Sequence, residues 1–167
     1  MITIFPGHSG KDSGAIQNNT IEASITASIA KTTYEMVRAC GIDCAYVDGS
    51  FDDRIKHSLG SSLGVEVHCD SFSDKTKVGF HCIYHPSGVG KMVAEVITDS
   101  LMEVGVRPAR NPDPRTDLLI LNKTKFPVIL VETGFLSNKE ECERLRLPSY
   151  QNLIALGIAH GILSVSK

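Results

Sequence analysis

Ile2-Thr3-Ile4-Phe5-Pro6-Gly7-His8 is a short apolar run, a Pro-Gly stop and a histidine in the loop beyond. Such a run reads as a buried strand that delivers a loop at its carboxyl end. From Ile21 to Cys40 the residues Ile21, Ile25, Ile29, Met36, Val37 and Cys40 recur at mostly helical spacing. Asn19 or Thr20 supplies the N-cap and Gly41 the stop. Cys44 to Val47 and Gly64 to Cys69 read as the second and third strands, the third ending at His68-Cys69-Asp70. Strand and helix therefore alternate from the start, and the strands are apolar enough to be buried on both faces.

Val78 to Tyr84 reads as a fourth strand closed by His85-Pro86; the short polar loop before it, Ser71 to Lys77, permits an antiparallel pairing and hence a mixed sheet. Val89, Met92, Val93, Val96, Ile97, Leu101 and Val104 trace one helical face ended by Gly105. Leu118 to Leu121 and Val128 to Val131 read as two more strands. Ser137-Asn138-Lys139-Glu140 matches a capping box opening a short acidic helix, and a last helix begins near Ser149. The expectation is an α/β fold: a single domain over residues 1–167, a three-layer α/β/α sandwich around a mixed, mostly parallel sheet of about six strands.

A net charge of -2 gives no basic field for nucleic acid or an anionic membrane. No apolar run approaches the ~20 residues that would insert in a bilayer. The first residues lack the basic and apolar regions of a signal peptide, so a chain made in the cytoplasm is expected. Five cysteines without a C-x-x-C pair argue against a disulfide framework and a cysteine zinc site.

In open sheets of this kind ligands sit at the carboxyl ends of the strands. His8 follows the first strand, His68 ends the third and Glu132 ends Val128 to Val131. Zinc hydrolases take three His, Asp or Glu ligands and leave a position for water; His8, Glu22 and His68 can supply them. Glu132, closing an apolar strand, is the carboxylate placed to take the proton of the attacking water and return it to the leaving amine. Glu22 has a rival reading, because Asn19 and Glu22 are also spaced as a capping pair. Of the other histidines, His57 falls in a solvated segment, His160 packs on the last helix, and His81 and His85 are candidates to line the groove. Cys69 should face away from His68, since strand side chains alternate. Gly10-Lys11-Asp12 lacks the Ser or Thr and the upstream Gly of a nucleotide loop.

Four motifs in order carry a resemblance: Pro6-Gly7-His8-Ser9-Gly10-Lys11-Asp12-Ser13-Gly14-Ala15, Glu22, Val65-Glu66-Val67-His68, and Val131-Glu132-Thr133-Gly134-Phe135-Leu136-Ser137-Asn138. The chain resembles the catalytic domain of the zinc-dependent N-acetylmuramoyl-L-alanine amidases of the amidase-3 family. It departs from the family pattern at Ser9, at His68-Cys69-Asp70 and between Ser58 and Gly64. The resemblance implies Zn2+ as cofactor on His8, Glu22 and His68, Glu132 as catalytic acid/base, and bacterial peptidoglycan as substrate, cut between the lactyl group of N-acetylmuramic acid and L-alanine. Together with the missing signal peptide it suggests a phage or prophage endolysin that waits in the cytoplasm for a holin; a monomer is expected, with no wall-binding module in this chain. A zinc peptidase cutting within the stem, or a silent wall-binding domain, are the alternatives; the silent domain should have lost a ligand or Glu132.

Overall fold

The computed structural model describes residues 1–166. The elements in order are β1 Ile2–Pro6, β2 Ile16–Gln17, β3 Thr20–Ile21, α1 Glu22–Ala39, β4 Cys44–Tyr46, α2 Phe51–His57 and β5 Leu63–Asp70. They continue with β6 His81–Tyr84, α3 Gly90–Glu103, β7 Asp113–Pro114, α4 Leu119–Lys123, β8 Val128–Phe135, α5 Lys139–Leu145 and α6 Pro148–Val165. The main sheet has six strands in the order β4-β1-β5-β8-β6-β7, and β2 and β3 form a separate hairpin. Every pairing in the main sheet is parallel except that of β6 with β8. The sheet is thus mixed and mostly parallel, as its alternating strands and helices predict.

Side-chain alternation along the strands sorts two unequal cores. Val65, Val67, Cys69, Ile129 and Val131 join the large one with Ile29 of α1, Ile97 of α3 and Ile158 of α6. Val128, Leu130 and Ile83 face the other way, into a small cluster with Ile120 and Leu121 and the partly buried Phe51 and Ile55 of α2. Glu66, His68, Glu132 and His81 alternate onto this second face, Glu66 and His81 buried and His68 and Glu132 partly exposed.

Leu118 to Leu121 forms no strand. Ile120 and Leu121 sit on the short helix α4, and the Asn122 side chain donates to Leu118 O at 3.0 Å and Thr116 O at 2.7 Å, holding the turn. Four consecutive apolar residues carry no period, so their burial fits either element. The sixth strand is instead β7, beside β6.

The fourth strand is shorter than Val78 to Tyr84. At Gly79 φ is +95°, and a Cβ there would meet Pro108 C and Ala109 N at 2.7 Å, so the chain turns before pairing. Its antiparallel partner is β8 rather than the preceding strand. The helix after Leu136 is capped by Asn138, which accepts from Glu141 N at 3.0 Å, one residue later than a Ser137–Glu140 box. His160 is exposed rather than packed. The segment containing His57 is the helix α2, opened by a capping box of Ser50 and Asp53.

Candidate metal centre and active-site groove

The first turn of α1 has no side-chain cap. The glycine-rich loop serves it instead: Glu22 N donates to Ala15 O and Ala23 N to Ser13 O. This frees the Glu22 carboxylate, which is buried and points into the sheet edge. Its Oε2 lies 3.3 Å from His8 Nε2 and accepts from Ala15 N at 2.9 Å. Its Oε1 lies 3.2 Å from His68 Nδ1 and accepts from Cys69 N at 3.0 Å. The capping alternative for Glu22 therefore fails.

His8, Glu22 and His68 each offer one ligand atom within 4.8 Å of the others. The two imidazoles meet edge to face, centroids 4.9 Å apart. His8 is placed by a left-handed backbone, φ +60°, between two glycines that must lack a Cβ. On Gly7 it would fall 2.5 Å from His68 Cε1, and on Gly14 2.5 Å from His8 Cδ2. The ring nitrogens turned away from Glu22 also meet carboxylates: His8 Nδ1 is 2.9 Å from Asp12 Oδ2, and His68 Nε2 is 3.3 Å from Glu66 Oε2. Histidines that bind zinc are held by such outer carboxylates. The donor set, its separations and its outer partners fit a zinc ion with one position left for water.

Charge follows the same geometry. Burial opposes ionisation of Glu22, but hydrogen bonds from His68 and His8 and from the Cys69 and Ala15 amides outweigh it and hold the carboxyl well below its usual range. Burial also opposes a charge on His68, yet Glu22 and Glu66 raise its pKa to about 10. The two shifts share one cause, the contact of Glu22 Oε1 with His68 Nδ1 at 3.2 Å.

Glu66 and Arg54 are participants that the sequence reading did not single out. Arg54 Nη1 donates to Glu66 Oε1 at 2.5 Å and to Pro6 O at 3.0 Å, and both side chains are buried. The available signal was a charge inside an apolar strand two residues before His68, hence on the same face.

His68, Glu132 and His81 stand in one row across β5, β8 and β6, in direct register. Glu132 is the middle member; its Oε2 is buried without a partner, and burial raises its pKa to about 8. A groove of about 350 Å³ opens over this row, walled by His68, Glu132, His81, Arg110, Arg115 and Leu118 among others. His85 does not reach it; with Ser87, Gly90 and Val128 it lines a depression at the opposite edge of the sheet. Cys69 points into the large core, its Sγ 3.2 Å from Thr133 Oγ1, and all five cysteines are free.

A carboxylate between two histidines, one strand from a buried glutamate at the edge of an α/β sheet, is the layout of a single-metal hydrolase. Residues 2–164 match the Amidase_3 model, N-acetylmuramoyl-L-alanine amidase, and the chain belongs to that family. The structure of the N-acetylmuramoyl-L-alanine amidase AmiC2 of Nostoc punctiforme superposes with a TM-score of 0.90 at 27% identity, over 99% of this chain and 96% of that one. The N-acetylmuramoyl-L-alanine amidase AmiA of Salmonella typhimurium is 26% identical over 98% of this chain and 75% of its own length. The endolysin of Bacillus phage SPP1 is 25% identical over 99% of this chain and 65% of its own.

Proposed function

We propose that residues 1–167 act as one zinc-dependent peptidoglycan amidase, hydrolysing the amide between N-acetylmuramic acid and the L-alanine of the stem peptide. The observation that carries the reading is the convergence of His8, Glu22 and His68 within 4.8 Å, beside a buried Glu132 in register with His68. His8 Nε2, a Glu22 oxygen and His68 Nδ1 would hold the ion. Zn2+ bound there supplies Lewis acidity to a water and to the substrate carbonyl.

Glu132 does the proton work. As the water oxygen adds to the carbonyl carbon, the carboxylate takes the water's proton, and it delivers that proton to the nitrogen as the C–N bond breaks. The leaving amine departs neutral and the lactyl group becomes a carboxylic acid. Burial suits Glu132 to the second half of this cycle, since it favours the protonated form that gives its proton to the amine. Asp12 and Glu66 orient the two imidazoles, and Arg54 fixes Glu66.

Bacterial peptidoglycan as substrate is supported by the family and by the AmiC2 and AmiA likenesses. An endolysin role, reaching the wall after a holin opens the membrane, is supported by the similarity to the phage SPP1 endolysin. No helix among the described residues is long and apolar enough to cross a membrane. A silent wall-binding domain has no need of three convergent donors, and all three are retained with Glu132.

Mass spectrometry of purified peptidoglycan digested by the zinc-loaded protein tests the reaction. Release of intact stems with a free L-alanine amine is expected. Fragments cut within the stem would replace this reading with a peptidase.

A further inference from the structure

We propose that the groove beside Glu132 is a subsite for a carboxylate of the stem peptide, gripped by the Nδ1–H of His81 and the guanidinium of Arg110. The proposal rests on the amidase reading and names the substrate group that this part of the groove recognises.

His81 stands directly across from Glu132 in the β6–β8 register and is 1% exposed. Arg110 Nη2 lies 2.7 Å from its Nε2. A guanidinium can only donate, so Nε2 is the acceptor and the proton of the neutral ring sits on Nδ1. That Nδ1 is buried and has no protein partner. The ring stays neutral at physiological pH, because burial and then the charges of Arg110 and Arg115 lower its pKa to about 4. Buried polar groups are almost always satisfied, and this one lies without a partner in the groove's wall.

What completes it must accept from a neutral N–H and from a cation together. Arg115 is already taken by Asp117 in a two-point pair at 2.7 and 2.6 Å. Arg110 holds Asp113 only at 3.5 Å, which leaves it free to grip a second acceptor. Leu118, Ile83, Leu130 and Phe135 make an apolar stretch of the wall, Lys77 adds a further positive charge, and the one other acid besides Glu132, Asp70, has its own carboxyl pKa raised by burial. A carboxylate satisfies these donors better than a neutral carbonyl, since charge-assisted bonds to a guanidinium are roughly twice as strong as neutral ones.

The reach also fits. Adjacent strands are about 4.8 Å apart, so His81 lies about that far beyond Glu132. In the stem, the carboxyl carbon on the α-position of the second residue is five bonds from the scissile nitrogen, a span of roughly 6 Å in extended backbone. The second stem residue is a glutamate joined through its side chain, which leaves that α-carboxyl as a free carboxylate or as an amide.

The test compares N-acetylmuramoyl-L-alanyl-D-glutamate with N-acetylmuramoyl-L-alanyl-D-isoglutamine, which differ only at that α-carboxyl, as substrates of the zinc-loaded protein and as competitors of its hydrolysis of purified walls. The carboxylate form is expected to be favoured at least tenfold in kcat/KM or in inhibition constant. Arg110→Gln, at a half-exposed position, should bring that ratio toward one, and so should His81→Phe. A merely structural effect would lower both forms equally and leave the ratio intact, which would overturn the proposal, as would a wild-type ratio of one. Wall hydrolysis with a ratio of one removes the subsite and keeps the amidase; no wall hydrolysis at all removes both.

Discussion

Replacing Glu132 with Gln should stabilise the metal-free protein by an amount that grows with pH. In the folded chain burial raises the carboxyl from its ordinary 4.5 to about 8, so it keeps its proton where the unfolded chain has lost it. The folded state therefore binds the extra proton, and stability falls as pH rises from 4.5 toward 8, by about 1.4 kcal/mol per unit. At pH 7 the accumulated cost is about 3 kcal/mol. Gln has nearly the same shape, is neutral and does not titrate. The gain of Glu132→Gln should be near zero at pH 4.5, about 3 kcal/mol at pH 7 and flat above pH 8. Urea unfolding in the presence of a chelator reads it directly: with a slope of about 2 kcal/mol per molar, the midpoint at pH 7 moves up by roughly 1.5 M. An unchanged or lower midpoint at pH 7, or a gain equal at pH 4.5 and 7, would refute the buried, protonated carboxylate.

Gly7→Ala should push the His68 ring out of place, because its Cβ would fall 2.5 Å from Cε1; zinc affinity, measured by chelator competition, should drop tenfold or more, as roughly 0.5 Å decides such sites. Glu66→Gln should weaken zinc binding by about 10–100-fold in the same assay, the range for lost outer partners of a ligating histidine. Zinc affinity should rise about tenfold per pH unit through neutrality, because the ion must displace the proton that Glu22 and Glu66 hold on His68; affinity flat between pH 6 and 8 would contradict that ion pair.

The parallel strands and long helices were legible because each repeats one period long enough to count. Where the period failed, so did the reading. Leu118 to Leu121 is too short to tell a turn of helix from a strand, and α2 hid inside a run of charges although Ser50 and Asp53 are spaced as its cap. The site divides similarly. His8, His68 and Glu132 stand out as polar residues after apolar runs, toward the edge where a sheet presents ligands, although β8 continues beyond Glu132 to Phe135. Glu22 was ambiguous because a carboxylate in a first helical turn serves a cap equally well, and only the loop's amides decide it. His81 was legible as a groove residue and lines it, whereas Arg54 and Glu66 act through partners far along the chain, and spacing carries no information about who meets whom.

The central claim is that His8, Glu22 and His68 hold one zinc while Glu132 performs proton transfer without holding it. Metal analysis and wall hydrolysis measured on the same samples of wild type, His68→Ala and Glu132→Gln test it most directly. One zinc per chain in wild type and Glu132→Gln, little in His68→Ala, and hydrolysis in wild type alone is the expected pattern. Zinc retained by His68→Ala, or walls cleared by Glu132→Gln, would contradict it.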